Sequence, residues 1–173
     1  RIEFLERQAR SNLFGLDICK RAVGLANFAV LLKGASYYPE ILQKEIKPQV
    51  FAMPEPYEFD PTQINDFLGE DGKQYAGELS LALSQMQEAQ NIGSALVLNL
   101  TDNARAYIAK RLNEFIEKLK RGELNLIEIG ILNRLSPFLH PILMLTNPYP
   151  AVVANPPYMG SKNMNADLST YLK

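Results

Sequence analysis

Cysteine and histidine are nearly absent from this 173-residue chain, which has one of each, Cys19 and His140, and no tryptophan. A single cysteine excludes an internal disulfide framework. One Cys and one His are too few for a structural zinc site, so no metal is expected. The cysteine usage fits a reducing, cytoplasmic compartment. No apolar run approaches the roughly 18 residues that a membrane span needs. The charged N-terminal residues do not read as a signal peptide. An excess of one charge is missing too: 18 Lys and Arg against 19 Asp and Glu leave a formal net charge of −1. That excludes a generic nucleic-acid-coating protein, and any grip on nucleic acid has to be local or lie elsewhere in a longer polypeptide.

What is present is enough apolar material for a core, at 47% of residues. Arg1 to Arg10 reads as the end of a helix. Leu13 to Ile18 reads as a short buried strand, and Cys19 to Ala35 as a helix with Ala22, Leu25, Ala26, Ala29 and Leu32 on one side. Lys47 to Ala52 reads as extended. Pro61 to Leu68 is a short helix with its proline tolerated in the first turn, Gly69 to Gly72 a turn, and Lys73 to Gln90 a helix. Asn91 to Leu100 is apolar and reads as extended. Thr101 or Asp102 caps a helix running to about Arg121. Leu124 to about Leu145 is helical, with kinks expected near Pro137 and Pro141. Ala151 to Ala154 reads as a strand, Gly160 to Asn165 as a polar loop and Asp167 to Lys173 as a helix.

Directly after Ala151-Val152-Val153-Ala154 stands Asn155-Pro156-Pro157-Tyr158. Neither proline has an N–H and each has a fixed φ, so a ladder cannot continue through them. Asn155 and Pro156 each precede a proline and are biased to extended conformations. The Asn155 side-chain carbonyl and the Pro156 backbone carbonyl are then two aimed acceptors. Two acceptors that each take one hydrogen of an NH2 group localise its lone pair toward a methyl donor. Tyr158 offers a flat face to a planar ring. Asn147-Pro148-Tyr149-Pro150 is a decoy with one proline between Asn and Tyr, read as the turn that introduces the strand.

Val152 to Lys162 resembles the large N6-adenine DNA methyltransferases of BREX-type phage-defence and restriction–modification systems. A second block, Asn12 to Ile18 followed by Arg21-Ala22 and Leu25-Ala26, agrees. The resemblance implies an α/β fold: a partial Rossmann-like S-adenosylmethionine-dependent methyltransferase fold with a large helical insertion. It implies that Asp17, with Ile18, binds the ribose of S-adenosylmethionine, and that Asn155, Pro156, Pro157 and Tyr158 are catalytic. It implies that Gly160, Ser161 and Lys162 close on double-stranded DNA with a flipped adenine, and that other defence-system or restriction subunits are partners. In the family a Gly-rich loop precedes the Asp17 strand. Its absence here, and the end at Lys173, lead us to expect a fragment that binds the cofactor poorly alone.

The expected organisation is residues 1–60 as part of the sheet, 61–145 as the helical insertion and 146–173 as the catalytic strand and loop, with the Leu13–Ile18 and Ala151–Ala154 strands as neighbours in one sheet. Other readings stand beside these. Asp17 at a strand-to-helix junction is equally an N-cap. Asn91-Ile92-Gly93-Ser94 reads as a turn rather than an adenine contact. Lys110, Arg111, Lys118, Lys120 and Arg121 read as a solvated face over a core stripe of Ala104, Ile108, Leu112, Phe115 and Leu119. His140 reads as structural and Cys19 as a small buried residue. As functions, protein glutamine N5-methylation and a non-catalytic interaction module are the alternatives to DNA adenine methylation.

Overall fold

A computed structural model describes residues 13–44, 46–93 and 96–154. They belong to two compact units, Arg1–Met53 and Pro54–Lys173.

The first unit is a strand–helix–strand crossover. β1 (Phe14–Asp17) and β2 (Gln49–Ala52) pair in parallel, with Phe14 opposite Gln49 and Asp17 opposite Ala52. Parallel neighbours need a crossover connection, supplied by α1 (Lys20–Tyr37) and a 3-10 turn over Pro39–Gln43. Gly15 suits β1 because a Cβ there would stand 3.1 Å from Cγ1 of Val50. Asn27 ties the helix to the sheet, its Nδ2 donating to the Val50 carbonyl at 3.1 Å.

Two expectations are corrected in this unit. β1 is half-buried rather than buried, and its flanks Leu13 and Ile18 are exposed. The face of α1 that is covered carries Val23, Ala26, Asn27 and Val30, while Ala22, Leu25, Ala29 and Leu32 of the expected stripe are exposed. The reason is that apolar residues surround this helix, so periodicity does not select a face.

The second unit is helical. α2 (Pro61–Leu68) starts in a reciprocal capping box between Asp60 and Gln63. A 3-10 segment, Glu70–Tyr75, leads into α3 (Ala76–Gln85), and a further 3-10 turn (Met86–Glu88) leads into one helical turn, Ala89–Ile92. The single helix expected over Lys73 to Gln90 is therefore broken by tighter turns at both ends. α4 (Asp102–Lys120) is capped by the Thr101 side chain and α5 (Leu126–Leu145) by a second capping box, Asn125 with Glu128. The turn between them uses Gly122 at φ 70°, which a residue with a Cβ rarely adopts.

Helices α4 and α5 form an antiparallel hairpin: a short connection joins them at one end, and at the other Arg105 near the start of α4 bonds to Thr146 just past α5. α5 runs through both Pro137 and Pro141. Each proline withholds one backbone donor, yet Leu135, Leu139, Pro141 and Ile142 are fully buried with Phe67, Leu79, Met86 and Ile108. Burial of such side chains is worth about 1.5–3 kcal/mol each, which outweighs the lost helix bonds.

Candidate functional site

Asp17 ends β1 at its carboxyl edge, beside the end of β2. Its backbone carbonyl accepts from the Met53 N–H at 2.9 Å, and its carboxylate Oδ1 accepts from the Cys19 N–H at 2.7 Å. The N-cap position of α1 is Cys19, with no side-chain cap, so the reading of Asp17 as a helix cap is corrected. The bond to Cys19 orients the carboxylate but uses one of about four acceptor sites on an ionised group, and Asp17 is exposed. Ile18, beside it, is 56% exposed. Cys19 is exposed too, against the expectation of burial, because it sits above the strand end before the first helical turn.

Asn155, Pro156, Pro157 and Tyr158 lie outside the described residues, as do Gly160, Ser161 and Lys162, the loop and final helix beyond them, and the Arg1–Arg10 segment. Their approach is described. The Asn147 N–H bonds back to the Met144 carbonyl at 3.2 Å, so the Asn147-Pro148-Tyr149-Pro150 decoy is a turn at the end of α5, as read. Ala151–Ala154 belongs to no strand and is exposed, with Val153 fully so. This corrects the expected strand; among the described residues β1 pairs with β2. The apolar, β-branched run is the right composition, but a strand is stabilised by its neighbours rather than by propensity alone.

The remaining candidates resolve as follows. Gly93, at φ 58°, ends a helical turn in which Asn91 bonds to Glu88, and Leu96 to Leu100 form no strand, although Leu96 and Leu98 are buried and Val97 exposed. Along α4 the stripe of Ala104, Ile108, Leu112 and Phe115 is buried, with Leu119 43% exposed at the last turn. Its basic residues largely pair locally: Lys110 and Arg111 with Glu114, Lys120 with Glu117, and Arg121 with Glu123. Arg111 is not a solvated cation. It donates to the Phe67 carbonyl at 3.0 Å and lies over the Phe115 ring. Burial lowers the His140 pKa, consistent with a structural histidine.

Sequence reasoning also missed Asn27, whose Oδ1 is buried without a partner, and Arg105, whose guanidinium bonds Thr146 and Asp102. Neither position carries a local signal, since each is defined by a contact distant in sequence. Among the described residues no cluster of His, Cys, Asp and Glu is able to hold a metal, and no helix is long and apolar enough to cross a membrane.

A profile described as Eco57I restriction-modification methylase matches residues 11–173. The chain belongs to this family. It is 29% identical over 188 aligned positions to the adenine-specific methyltransferase BrxX of Escherichia coli O9:H4 (strain HS), covering 94% of this chain and 15% of that protein. It is 28% identical over 189 positions to the adenine-specific methyltransferase PglX of Lacticaseibacillus casei (strain Zhang), covering 99% of this chain and 14% of that protein. The chain thus spans about one-seventh of the length of these curated relatives. A mostly helical chain with a small parallel sheet agrees with a partial methyltransferase-like α/β fold.

Proposed function

We propose that this chain forms part of an enzyme that transfers a methyl group from S-adenosylmethionine to the N6 amine of adenine in DNA, within a restriction–modification or phage-defence system. The observation that carries the reading is that one family match, over residues 11–173, takes in both Asp17 and the Asn155–Tyr158 corner. The names of both relatives are adenine-specific, which supports adenine over a protein glutamine amide. The wider sheet is of the Rossmann type in this reading, and the enzyme is cytoplasmic.

S-adenosylmethionine, when bound, supplies an electrophilic methyl group. The fit to this chain rests on Asp17: an exposed carboxylate at the carboxyl edge of parallel strands, where ligands of open α/β sheets bind, oriented by the Cys19 N–H and with acceptor capacity left for ribose hydroxyls. Ile18 offers apolar surface beside it. The Asn155 side-chain carbonyl and the Pro156 carbonyl each accept one N–H of the target amine, and Pro157 holds that backbone extended. Tyr158 stacks on an adenine taken out of the duplex. Gly160, Ser161 and Lys162 contact the DNA around it. Catalysis is then chiefly positioning and electrostatic preorganisation.

Methyl transfer to duplex oligonucleotides by the whole protein, with radiolabelled donor, tests the reading. Asn155→Ala is expected to abolish transfer while leaving donor binding intact. Full activity of that variant, or label appearing on a protein substrate and not on DNA, overturns it.

A further inference from the structure

Helix α1 has two apolar faces, and its sheet covers only one. Val23, Ala26, Asn27 and Val30 lie on the covered side, where Asn27 holds the Val50 carbonyl of β2. On the other side Leu25 is 69% exposed, Phe28 58% and Leu32 48%, and Ala22 and Ala29 beside them are exposed as well. At about 100° per residue, Leu25, Phe28 and Leu32 point about 180° away from the four covered residues. The stripe therefore faces away from the sheet. A helix lying beside α1 on the same sheet would meet its flanks and leave the stripe uncovered, so what covers it is a further layer.

Exposed apolar residues scattered singly are ordinary. Here three large ones follow one another on a helix that is apolar all round, which is the pattern of an element buried on both sides. No residue between Arg21 and Lys33 carries a charge, so about three turns pass without one. A solvated face looks different: the outer side of α4 carries Lys110, Asn113, Glu117 and Lys120, all exposed. The absence of Lys and Arg from the stripe also argues against a phosphate backbone as its partner. Leu25, Phe28 and Leu32 are spaced by three and then four residues, the spacing along which one helix packs on another. In the curated relatives about six-sevenths of the polypeptide lies outside the matched region, which is ample chain to supply a covering helix.

We propose that the outward stripe of α1 is the docking face for a helix from another part of the same, longer polypeptide, which lays uncharged aliphatic or aromatic residues on Leu25, Phe28 and Leu32. The element that follows Asp17 is then fixed to the rest of the protein through its back. This goes beyond the methyl-transfer reading and does not depend on it.

The test places a benzophenone photoprobe in the whole protein in place of Phe28, or of Leu32 if position 28 does not tolerate it. The protein is a mixture of light and isotopically heavy copies, and the cross-links are mapped by mass spectrometry. The expected product joins the probe to one stretch of the same polypeptide outside residues 1–173, with no light-to-heavy pairs. Light-to-heavy pairs, which mean a second copy, overturn the proposal. So do cross-links confined to residues 1–173, or none at all. A second measurement needs no probe. Leu25→Cys is alkylated in the native whole protein, and its labelled peptide is followed beside that of Gln43→Cys, an exposed position off the helix. The stripe position is expected to react about a hundredfold more slowly, because it waits for local opening. Equal native rates at the two positions overturn the proposal.

Discussion

Removing the Asp17 carboxylate separates binding from folding. In the fold the carboxylate makes one bond, to the Cys19 N–H at 2.7 Å, at an exposed position where α1 has no side-chain cap. Losing a single exposed hydrogen bond of this kind costs about 0.5–1.5 kcal/mol, so Asp17→Ala leaves the protein folded. Donor binding is affected more. Two ribose hydroxyls donating to an ionised acceptor are worth about 1.5–3 kcal/mol each at best. Solvent at the strand end reduces the pair to about 2–4 kcal/mol, or roughly 30- to 700-fold in affinity at 1.4 kcal/mol per decade. Asp17→Asn retains an oxygen for Cys19 but turns the other acceptor into a donor, and about a tenfold loss is expected. Calorimetric titration of S-adenosylmethionine or its demethylated product into the whole protein reads these numbers, with a melting curve as the control. An affinity for Asp17→Ala within about twofold of wild type refutes the assignment of Asp17 to the ribose.

Two further outcomes follow from the fold. Gly72 is buried, and a Cβ there would overlap the Tyr107 ring, whose hydroxyl donates to the Leu68 carbonyl at 2.7 Å; Gly72→Ala is expected to destabilise by about 1–3 kcal/mol, and in thermal unfolding Tyr107→Ala in the same background should show a non-additive, partly relieved cost. His140 has its pKa lowered by burial, so below pH ~6.5 the unfolded chain binds a proton that the folded chain resists; stability is fully present above that pH and is lost as pH falls through the folded pKa. Since His140 is the one histidine, His140→Gln should flatten the dependence of Tm on pH between about 5 and 7, and an unaltered slope would assign the effect elsewhere.

Where local chemistry decides structure, the sequence was legible. The strand ending at Asp17, the helix after it, the extended segment before Met53, the Pro61 helix and the Thr101 cap all appear within one or two residues of their expected positions. Each rests on a short-range device such as a cap, a turn or a burst of β-branched residues. What was not legible depends on contacts distant in sequence. Apolar residues lie all around α1, so nothing local says that Val23 and Asn27 turn inward while Leu25 and Leu32 turn out. Arg111 looks like its lysine neighbours until the Phe67 carbonyl is placed against it.

The same distinction governs the site. At the level of sequence, Asp17 is balanced between capping a helix and holding a ligand, because both tasks need an acidic residue where a strand becomes a helix. One backbone register removes the capping reading. α1 begins at Lys20, so the cap position falls on Cys19, and Asp17 stays on the strand with its carbonyl bonded to Met53. A carboxylate two residues later would have stood at the cap position and been taken up by the first turn of the helix. Placed where it is, the group is aimed by a backbone donor and stays exposed, which is the condition a ribose-binding acid has to meet and a capping acid does not. Shifting the junction by a one-residue insertion between Asp17 and Cys19 should therefore abolish donor binding while β1 and β2 remain paired, and donor binding that survives the insertion would return Asp17 to a purely structural role.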